Sequence, residues 1–210
     1  QIDLPVLKKW RERCKEEHGY HCKPLLPSPY EPKHRPDEGS LPFRVIDVVD
    51  DRVIPAPRNW QYVALSYVWG GAVPFRLKRA DISYTQANCP SFESSYASLH
   101  RKKLPRTIQD AMFVVELLEE RYLWIDCLCI VQDDAEELKA NIHSMDRIFS
   151  AAQLTIVGAS GHDANAGLPG LYPKTRYVQP ITGSVDGIGI AQIEPTLRLE
   201  HSVWGFRGWT

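Results

Sequence analysis

Asp126 is the residue whose position most strongly indicates chemistry, because it lies inside an almost wholly apolar run, Tyr122–Asp134 (YLWIDCLCIVQDD). Near-continuous apolar runs of this length are typical of strands buried on both faces of a sheet. A carboxylate in such a strand is costly unless it is paired or hydrogen-bonded. Asp126 is therefore either a structural acid held by partners or an active-site acid tuned by its surroundings.

Two sets of partners for Asp126 follow from the sequence. Arg106 begins the helix predicted before this strand, and from there its guanidinium could pair with the carboxylate in a bidentate manner. The backbone amides of residues 66–71 are the alternative. We expect Asp126 to be buried and to bond to one of them.

Other candidate groups follow the predicted strands at their carboxyl ends, which is where ligands bind in open parallel α/β sheets. These ends are residues 66–71, 131–137 and 159–163, and we expect the three loops to converge. They supply aromatic faces, hydrogen-bonding groups and carboxylates: Tyr67, Trp69, Gln132, Ser160, Asp133, Asp134, Glu136 and Glu137. For the aromatic residues the alternative is packing, and for the acids it is capping of a solvated first helical turn.

The elements that must position these groups alternate between strand and helix, which predicts parallel βαβ units. We expect strands at 62–68, 123–130 and 154–159, all interior and parallel, and helices at 104–121 and 135–151. Thr107 and Asp110 have the spacing of a helix-capping pair. Gly70 and Gly71 permit a tight turn or a close ligand approach after the first strand. Residues 72–103 are polar and Pro-containing, so we expect irregular structure there.

The flanking segments have a different character. Apolar residues at helical spacing predict an amphipathic helix over residues 3–18, followed by a Pro-rich connector up to Pro42. A further strand begins at Phe43 and ends before a turn at Asp50 and Asp51. The end of the chain predicts a β-hairpin, 178–182 and 188–194, around the turn at Asp186.

Composition excludes several classes of protein. The formal net charge of −1 gives no electrostatic footprint for nucleic acid or an anionic membrane surface. No apolar stretch reaches the roughly 18 residues of a membrane-spanning helix, and the N-terminus does not have the layout of a signal peptide. Five cysteines in a chain with an adequate core fit reduced thiols, so we expect a cytoplasmic protein.

Familiar catalytic and metal motifs are absent from the sequence. It contains no phosphate-binding GxxxxGK[ST] loop, no serine nucleophile elbow and no HExxH. Cys14, His18 and Cys22 have four-residue spacing and would share one face of a continuous helix, but Gly19 argues against such a helix. We therefore expect no metal site. Cys127 and Cys129 lie in the predicted buried strand, which argues against a Cys-His protease.

Five blocks carry a family resemblance: YVALSYVWGG (62–71), LPRTIQDA (104–111), MDRIFSAAQLTIVGASG (145–161), DANAGLPG (163–170) and RGWT (207–210). With the acidic run 122–134, their order and spacing resemble the heterokaryon incompatibility (HET) domain of filamentous fungi. The resemblance extends from about Leu41 to the C-terminus. Phe149 and Cys127 depart from the usual Tyr and small residue. The chain stops where family members usually continue, so we expect an isolated domain, truncated at its C-terminus.

The resemblance implies a fold and a domain organisation. HET domains are similar to TIR domains, and the Ser66-Tyr67 pair matches the Ser-Tyr pair that ends the first TIR strand. We therefore expect an α/β fold: a TIR-like open, mostly parallel sheet flanked by helices, with a C-terminal β-hairpin appendage. Residues 1–42 are the N-terminal helix and connector, and 43–210 the HET domain, comprising an α/β core (61–162) and a loop and β appendage (163–210).

The resemblance also implies a function, the triggering of programmed cell death after fungal non-self recognition. Some TIR domains cleave the nicotinamide glycosidic bond of NAD once they oligomerise; others are non-catalytic interaction modules, and both alternatives apply here. NAD would be a substrate, with no cofactor required, and an upstream sensor would activate the domain. Candidate catalytic carboxylates are Asp126, Asp133, Glu136 and Glu137; candidate binding residues are Ser66, Tyr67, Trp69, Gly70, Arg106 and Gln132.

Overall fold

The computed structural model describes residues 2–18, 43–56, 61–71, 76–84, 95–175, 183–186, 188–190 and 202–206. The helices in these ranges are α1 (Leu4–Glu16), α2 (Arg106–Leu117), α3 (Asp126–Cys129), α4 (Ala135–His143) and α5 (Met145–Ala151). The strands are β1 (Arg44–Asp47), β2 (Arg52–Pro55), β3 (Val63–Tyr67), β4 (Ser83–Tyr84), β5 (Ser95–Ser98), β6 (Tyr122–Trp124), β7 (Leu154–Gly158), β8 (Gly183–Val185) and β9 (Ile188–Ile190).

The main sheet is open and mixed, with the strand order β4-β5-β2-β1-β6-β3-β7. Strand β3 pairs in parallel with β6 and with β7, which confirms the predicted parallel arrangement of these three strands. The expectation of a mostly parallel sheet is wrong, because β1, β2, β4 and β5 pair antiparallel. The turn at Val48–Asp51 joins β1 to β2, and so short a connection allows only an antiparallel pair. Strand β7 lies at the end of the described sheet rather than inside it.

The acidic run forms a short strand and a helical turn instead of one long strand. Strand β6 ends at Trp124, and the chain turns at Ile125 into the four-residue helix α3, whose first residue is Asp126. The apolar residues of α3 are nevertheless buried, at 0–2% exposure for Cys127, Leu128 and Cys129. A buried helix and a buried strand share the same apolar composition, so periodicity could not separate them.

Helices cover both faces of the central strands. On one face, a Cβ added at Gly158 would lie 3.2 Å from Tyr67 Cβ and 3.5 Å from Thr107 of α2. On the other, the ring of Trp124 packs edge-on against Phe149 of α5, with centroids 5.5 Å apart. The face that Trp124 shares with Ala64 is opposite to that of Tyr67, because successive residues of a strand alternate.

The predicted helices are present with altered bounds. Helix α2 buries Ile108, Ala111, Met112 and Val115, which recur at helical spacing and therefore form one apolar stripe. The single helix expected over 135–151 is two helices, because the backbone of Ser144 leaves the helical region, with ψ at 10°. Serine competes for backbone hydrogen bonds and therefore tends to interrupt helices.

The segments outside the core match the expectations in part. Helix α1 lies where it was predicted, and Asp3 caps it by accepting a hydrogen bond from Val6 N at 3.1 Å. Part of the insertion 72–103 is regular, because β5 pairs with β2. Strands β8 and β9 pair antiparallel on either side of Asp186. The Pro-rich connector and residues 178–182 lie outside the described residues. Within the described part, no helix is long and apolar enough to cross a membrane.

Candidate functional site

Trp69 and Asp126 meet at the carboxyl ends of two adjacent parallel strands. Trp69 follows β3, Asp126 follows β6, and the indole Nε1 donates a hydrogen bond of 3.1 Å to Asp126 Oδ1. Cys127 N donates to the same oxygen at 2.7 Å. The partner therefore comes from residues 66–71, as expected, but it is a side chain and not a backbone amide. Asp126 is half-buried rather than buried.

A guanidinium completes this group of side chains. The Arg76 guanidinium carbon lies 5.4 Å from the centre of the Trp69 ring. Its segment runs beside α3, because Leu77 N donates to Cys127 O at 2.9 Å and Leu77 O accepts from Gln132 N at 2.8 Å. The carboxylate of Asp126, the indole of Trp69 and the guanidinium of Arg76 thus form one contiguous set, called here the Trp69 crevice. No motif or periodicity in the sequence had pointed to Arg76.

Gln132 lies beside the Trp69 crevice and bonds to the backbone of α3 and of the residue that follows it. Its side-chain Nε2 donates to the carbonyl oxygens of Asp126 at 3.1 Å and Ile130 at 3.0 Å. The Asp126 carbonyl, at the start of α3, also accepts from Ile130 N at 3.2 Å. Gln132 therefore ties the two ends of α3 together, and its role as a ligand-binding residue stays a prediction.

Glu137, predicted as a candidate catalytic acid, has a structural position instead. It is 3% exposed, and its Oε1 accepts hydrogen bonds from Arg44 Nη1 at 2.5 Å and from Val131 N at 3.0 Å. The pair joins α4 to β1 across the interior. A carboxylate with these two partners fixes the start of α4 and is turned away from a ligand.

The other acids of residues 133–137 also divide by role. Asp134 caps α4 by accepting from Glu136 N and Glu137 N, both at 3.2 Å, and pairs with Arg79 at 2.6 Å. The bond from Glu137 N, together with Arg79, holds the pKa of the Asp134 carboxyl below its ordinary value. Asp133 accepts from Arg79 N at 3.0 Å. Glu136 is exposed, and its carboxylate has no partner among the described residues.

The acids predicted at 126 and in the loop 131–137 therefore do not form one cluster. Only Asp126 bonds to Trp69. Asp133 and Asp134 both bond to Arg79, and Glu137 bonds to Arg44. Of the acids predicted to be catalytic, Asp126 alone belongs to the Trp69 crevice.

Ser66 and Tyr67 are packed into the fold. Tyr67 is 2% exposed, and its hydroxyl lies 3.3 Å from Cys127 Sγ. Its ring is therefore buried and does not present the open aromatic face that was predicted. Ser66 Oγ accepts from Trp204 Nε1 at 2.8 Å. Burial, reinforced by the charge of Asp126, raises the pKa of the Cys127 thiol well above its ordinary value. Burial also raises the pKa of Cys129 to about 12. Neither thiol is therefore a reactive nucleophile.

Gly70 makes the tight turn that was one of the two alternatives expected of it. Its φ of +60° lies in the left-handed region, and a Cβ there would be 2.5 Å from Asp163 Cβ. Ala164 N donates to Trp69 O at 3.2 Å. The loops at 66–71 and 159–163 therefore converge as predicted. Residues 162–164 contact the backbone of Trp69 and Gly70.

The first turn of α2 holds that same loop. Thr107 Oγ1 accepts from Gly167 N at 3.0 Å, and Asp110 Oδ2 accepts from Leu168 N at 2.8 Å. The expectation that Thr107 and Asp110 cap their own helix is wrong, because both side chains bond to the loop instead. They are spaced three apart, so they lie on one face of α2 and reach the loop together.

Arg106 belongs to this second cluster and not to Asp126. Its Nε lies 2.9 Å from Asp110 Oδ1, and its guanidinium carbon is 4.3 Å from the centre of the Tyr172 ring. The predicted pairing of Arg106 with Asp126 is therefore wrong. An acid four residues ahead on the same helix is the nearer partner; Asp110 is 2% exposed, whereas the Arg106 side chain is 47% exposed.

Metal binding finds no support in the part of the chain that the structure describes, since no three His, Cys, Asp or Glu side chains there form a group able to hold an ion. Cys14 is a free cysteine. Cys22, the third of the residues with metal-ligand spacing, lies outside the described residues.

Comparison with known proteins identifies the chain. A family model described as heterokaryon incompatibility protein (HET) matches residues 62–210, which include the Trp69 crevice and the loop that holds it. No curated protein and no solved structure matched the chain significantly. The matched residues make up more than half of the sequence, and the chain therefore belongs to the heterokaryon incompatibility (HET) family.

Proposed function

We propose that this chain is a HET-type effector domain that triggers programmed cell death in fungal non-self recognition, and that it does so by hydrolysing NAD in the Trp69 crevice. Membership of the family implies a part in heterokaryon incompatibility. The observation that carries the catalytic proposal is the hydrogen bond between Trp69 Nε1 and Asp126 Oδ1 at the carboxyl ends of β3 and β6. Such strand ends are where open α/β sheets bind ligands.

Each member of the crevice supports one part of this reaction. The indole of Trp69 offers an aromatic face for the flat nicotinamide ring. The carboxylate of Asp126 supplies negative charge where the ribose becomes oxocarbenium-like. Arg76 supplies a cation beside the same indole for the diphosphate of the dinucleotide.

The proposed step conserves atoms and charge. The bond between ribose C1′ and the pyridinium nitrogen breaks, and its electron pair goes to that nitrogen, so nicotinamide leaves as a neutral molecule. Water then adds to C1′, and its proton passes through a carboxylate to the solvent. The products are nicotinamide, ADP-ribose and one proton. Asp126 stabilises the cationic ribose in this scheme and needs no cofactor.

We further propose that activity requires self-association, set off by an upstream sensor protein or domain. The domain would act in the cytoplasm, with neither nucleic acid nor a membrane as its partner. The net charge of −1 agrees with this assignment, because it provides no general attraction to polyanions.

The test is the release of nicotinamide from NAD by the purified chain at high concentration or when fused to an oligomerising tag. Asp126→Asn keeps the shape and an oxygen acceptor for Trp69 Nε1 and Cys127 N but removes the charge. We expect it to lower the rate at least a hundredfold while the thermal melting curve changes little. Trp69→Phe should raise KM for NAD more than it lowers kcat.

Glu136→Gln is the matched control, because this exposed acid lies in the neighbouring loop 131–137 and its carboxylate has no partner among the described residues. We expect it to leave the rate unchanged. If Glu136→Gln abolishes nicotinamide release while Asp126→Asn does not, the catalytic acid has been misassigned.

A second candidate function, a non-catalytic interaction module, is favoured by the structural use of acids in the neighbouring loop 131–137. Glu137 is bonded to Arg44 and Asp134 caps α4, so neither is available to a ligand. The two functions separate in one experiment. A folded, oligomeric sample that leaves NAD intact, from a chain that still kills cells, would establish the interaction module.

A further inference from the structure

Helix α1 lies over an apolar groove on the body of the domain. The groove, called here the α2 groove, is lined by Phe113, Val114, Leu117 and Leu171, and Ile2, Leu4 and Leu7 of the N-terminal segment face it. A cavity of about 170 Å³ remains between the two sides. This pocket is partly open to solvent, so α1 covers its groove without filling it.

The polar attachments of α1 lie at the rim of the groove. Lys8 pairs with Glu119, Arg11 pairs with Glu120, and Arg11 Nη1 donates to Leu118 O at 3.3 Å. The Glu119 side chain is 80% exposed. An ion pair at so exposed a position contributes little to stability, whereas the Arg11 and Glu120 side chains are only 24% and 16% exposed. The N-terminal segment is thus held by the apolar contact, by one exposed and one shielded ion pair, and by the backbone bond from Ile2 N to Gly170 O at 2.6 Å.

A long stretch of sequence separates α1 from the sheet. Residues 17–42 connect the end of α1 to the residue before Phe43, and 26 residues span at most about 90 Å when fully extended. This length exceeds the dimensions of a domain of this size. The connection therefore does not oblige α1 to occupy the groove of its own chain.

We propose that α1 docks in the α2 groove of a second copy, so that the chain associates by exchanging its N-terminal helix. The groove already receives α1 through its apolar lining and the ion pairs at its rim, and a helix exchanged between two copies makes the same contacts in the other copy. No other surface has to be complementary. The proposal concerns association alone and stands whether or not the Trp69 crevice cleaves NAD.

Two full-length variants test the exchange by complementation. The groove variant, Phe113→Asp with Leu117→Asp, keeps a normal α1 but cannot accept one; both positions are at least partly exposed, so the buried stripe of α2 is untouched. The helix variant, Leu4→Asp with Leu7→Asp, keeps a normal groove but cannot fill it. Each variant alone lacks a matching pair of surfaces, and we expect each to be a monomer.

An equimolar mixture contains one matching pair, the helix of the groove variant and the groove of the helix variant. We expect a heterodimer of twice the 23.9 kDa monomer mass in analytical ultracentrifugation. Protein at about 1 mM equals the effective concentration that a short tether gives a helix in its own chain. A mixture that stays monomeric at this concentration overturns the proposal, as does a helix variant that dimerises by itself.

The control for the added charge is Val6→Asp with Trp10→Asp. These residues lie on the outer side of α1, with exposures of 38% and 62%, so the variant fills its own groove. Mixed with the groove variant, it should give at least tenfold less heterodimer than the helix variant does. Equal amounts from both mixtures would mean that association is non-specific, and would also overturn the exchange.

Discussion

Gly167 lies against the carboxylate of Asp110, so closely that a Cβ at position 167 would be 2.8 Å from Asp110 Oδ2. The φ of Gly167 is +75°, which side-chain-bearing residues rarely adopt. Its N–H donates to Thr107, and the next residue, Leu168, donates to Asp110. The loop is thus interlocked with α2 at the point where Gly167, which has no side chain, packs against the carboxylate of Asp110.

Replacing Gly167 by alanine should therefore destabilise the domain by about 2–4 kcal/mol, the sum of a left-handed backbone and a steric clash. Urea unfolding followed by circular dichroism measures this loss. Gly183→Ala is the control, because a Cβ at Gly183 meets nothing within 4 Å. It should change stability by less than about 0.5 kcal/mol. Equal losses in the two variants would contradict the interlock.

Asp110 should influence Trp69 although the two do not touch. Asp110 holds Leu168, and the same loop donates from Ala164 N to Trp69 O. Asp110→Ala leaves a buried N–H without its acceptor, which costs about 1–3 kcal/mol. In protein labelled with 5-fluorotryptophan, we expect the ¹⁹F resonance of Trp69 to shift and that of the buried Trp124 to stay in place.

Tyr62→Phe is the matched control for Asp110→Ala. It removes another buried hydrogen bond, from the Tyr62 hydroxyl to Ile148 O at 2.6 Å, far in sequence from the loop. It should cost a similar amount of stability without moving the Trp69 resonance. A shift of that resonance in both variants would mean that it reports general loosening of the fold.

The buried pair of Arg44 and Glu137 should be stabilising only as a pair. Glu137→Met leaves the Arg44 guanidinium without the carboxylate that lies 2.5 Å from it, which costs about 3–5 kcal/mol. Replacing both residues by methionine removes the stranded charge, so we expect most of the lost stability to return. Denaturant unfolding of the two single variants and the double variant measures the coupling. A double variant as unstable as the sum of the single ones would refute this account.

The features that the sequence predicted correctly depend on local rules. Gly70 was expected to permit a tight turn, and a residue without a side chain adopts the left-handed backbone of such a turn in any fold. The buried stripe of α2 follows from helical periodicity, and the parallel pairing of β3, β6 and β7 follows from the alternation of strands and helices.

The features that were missed depend on partners distant in sequence. Arg44 and Glu137 are 93 residues apart, and Ser66 and Trp204 are 138 residues apart, so only the folded chain brings them together. Asp126 was expected in a strand because its neighbours are apolar, but burial alone does not distinguish strand from helix. The sequence predicted that a partner of Asp126 would come from residues 66–71, but it did not predict that the bonding group would be the indole of Trp69.

Asp47 should make the stability of the domain depend on pH in acid. Burial alone would raise the pKa of this carboxyl, but hydrogen bonds from Arg121 at 2.9 and 2.7 Å outweigh it, together with those from Asp50 N and Val49 N. The pKa of Asp47 in the folded chain is therefore below its ordinary value of 3.8. A lowered pKa stabilises the fold above the unfolded value, and this contribution is lost as the pH falls through the folded pKa.

We therefore expect the free energy of unfolding to decrease as the pH falls below about 4, and Asp47→Asn to reduce that slope. At neutral pH the variant should be less stable than the wild type, because it has lost the charge that pairs with Arg121; the two should converge as the pH falls through the folded pKa of Asp47. Chemical denaturation at a series of pH values measures both curves. Parallel curves, separated by the same amount at every pH, would show that Asp47 does not titrate in this range.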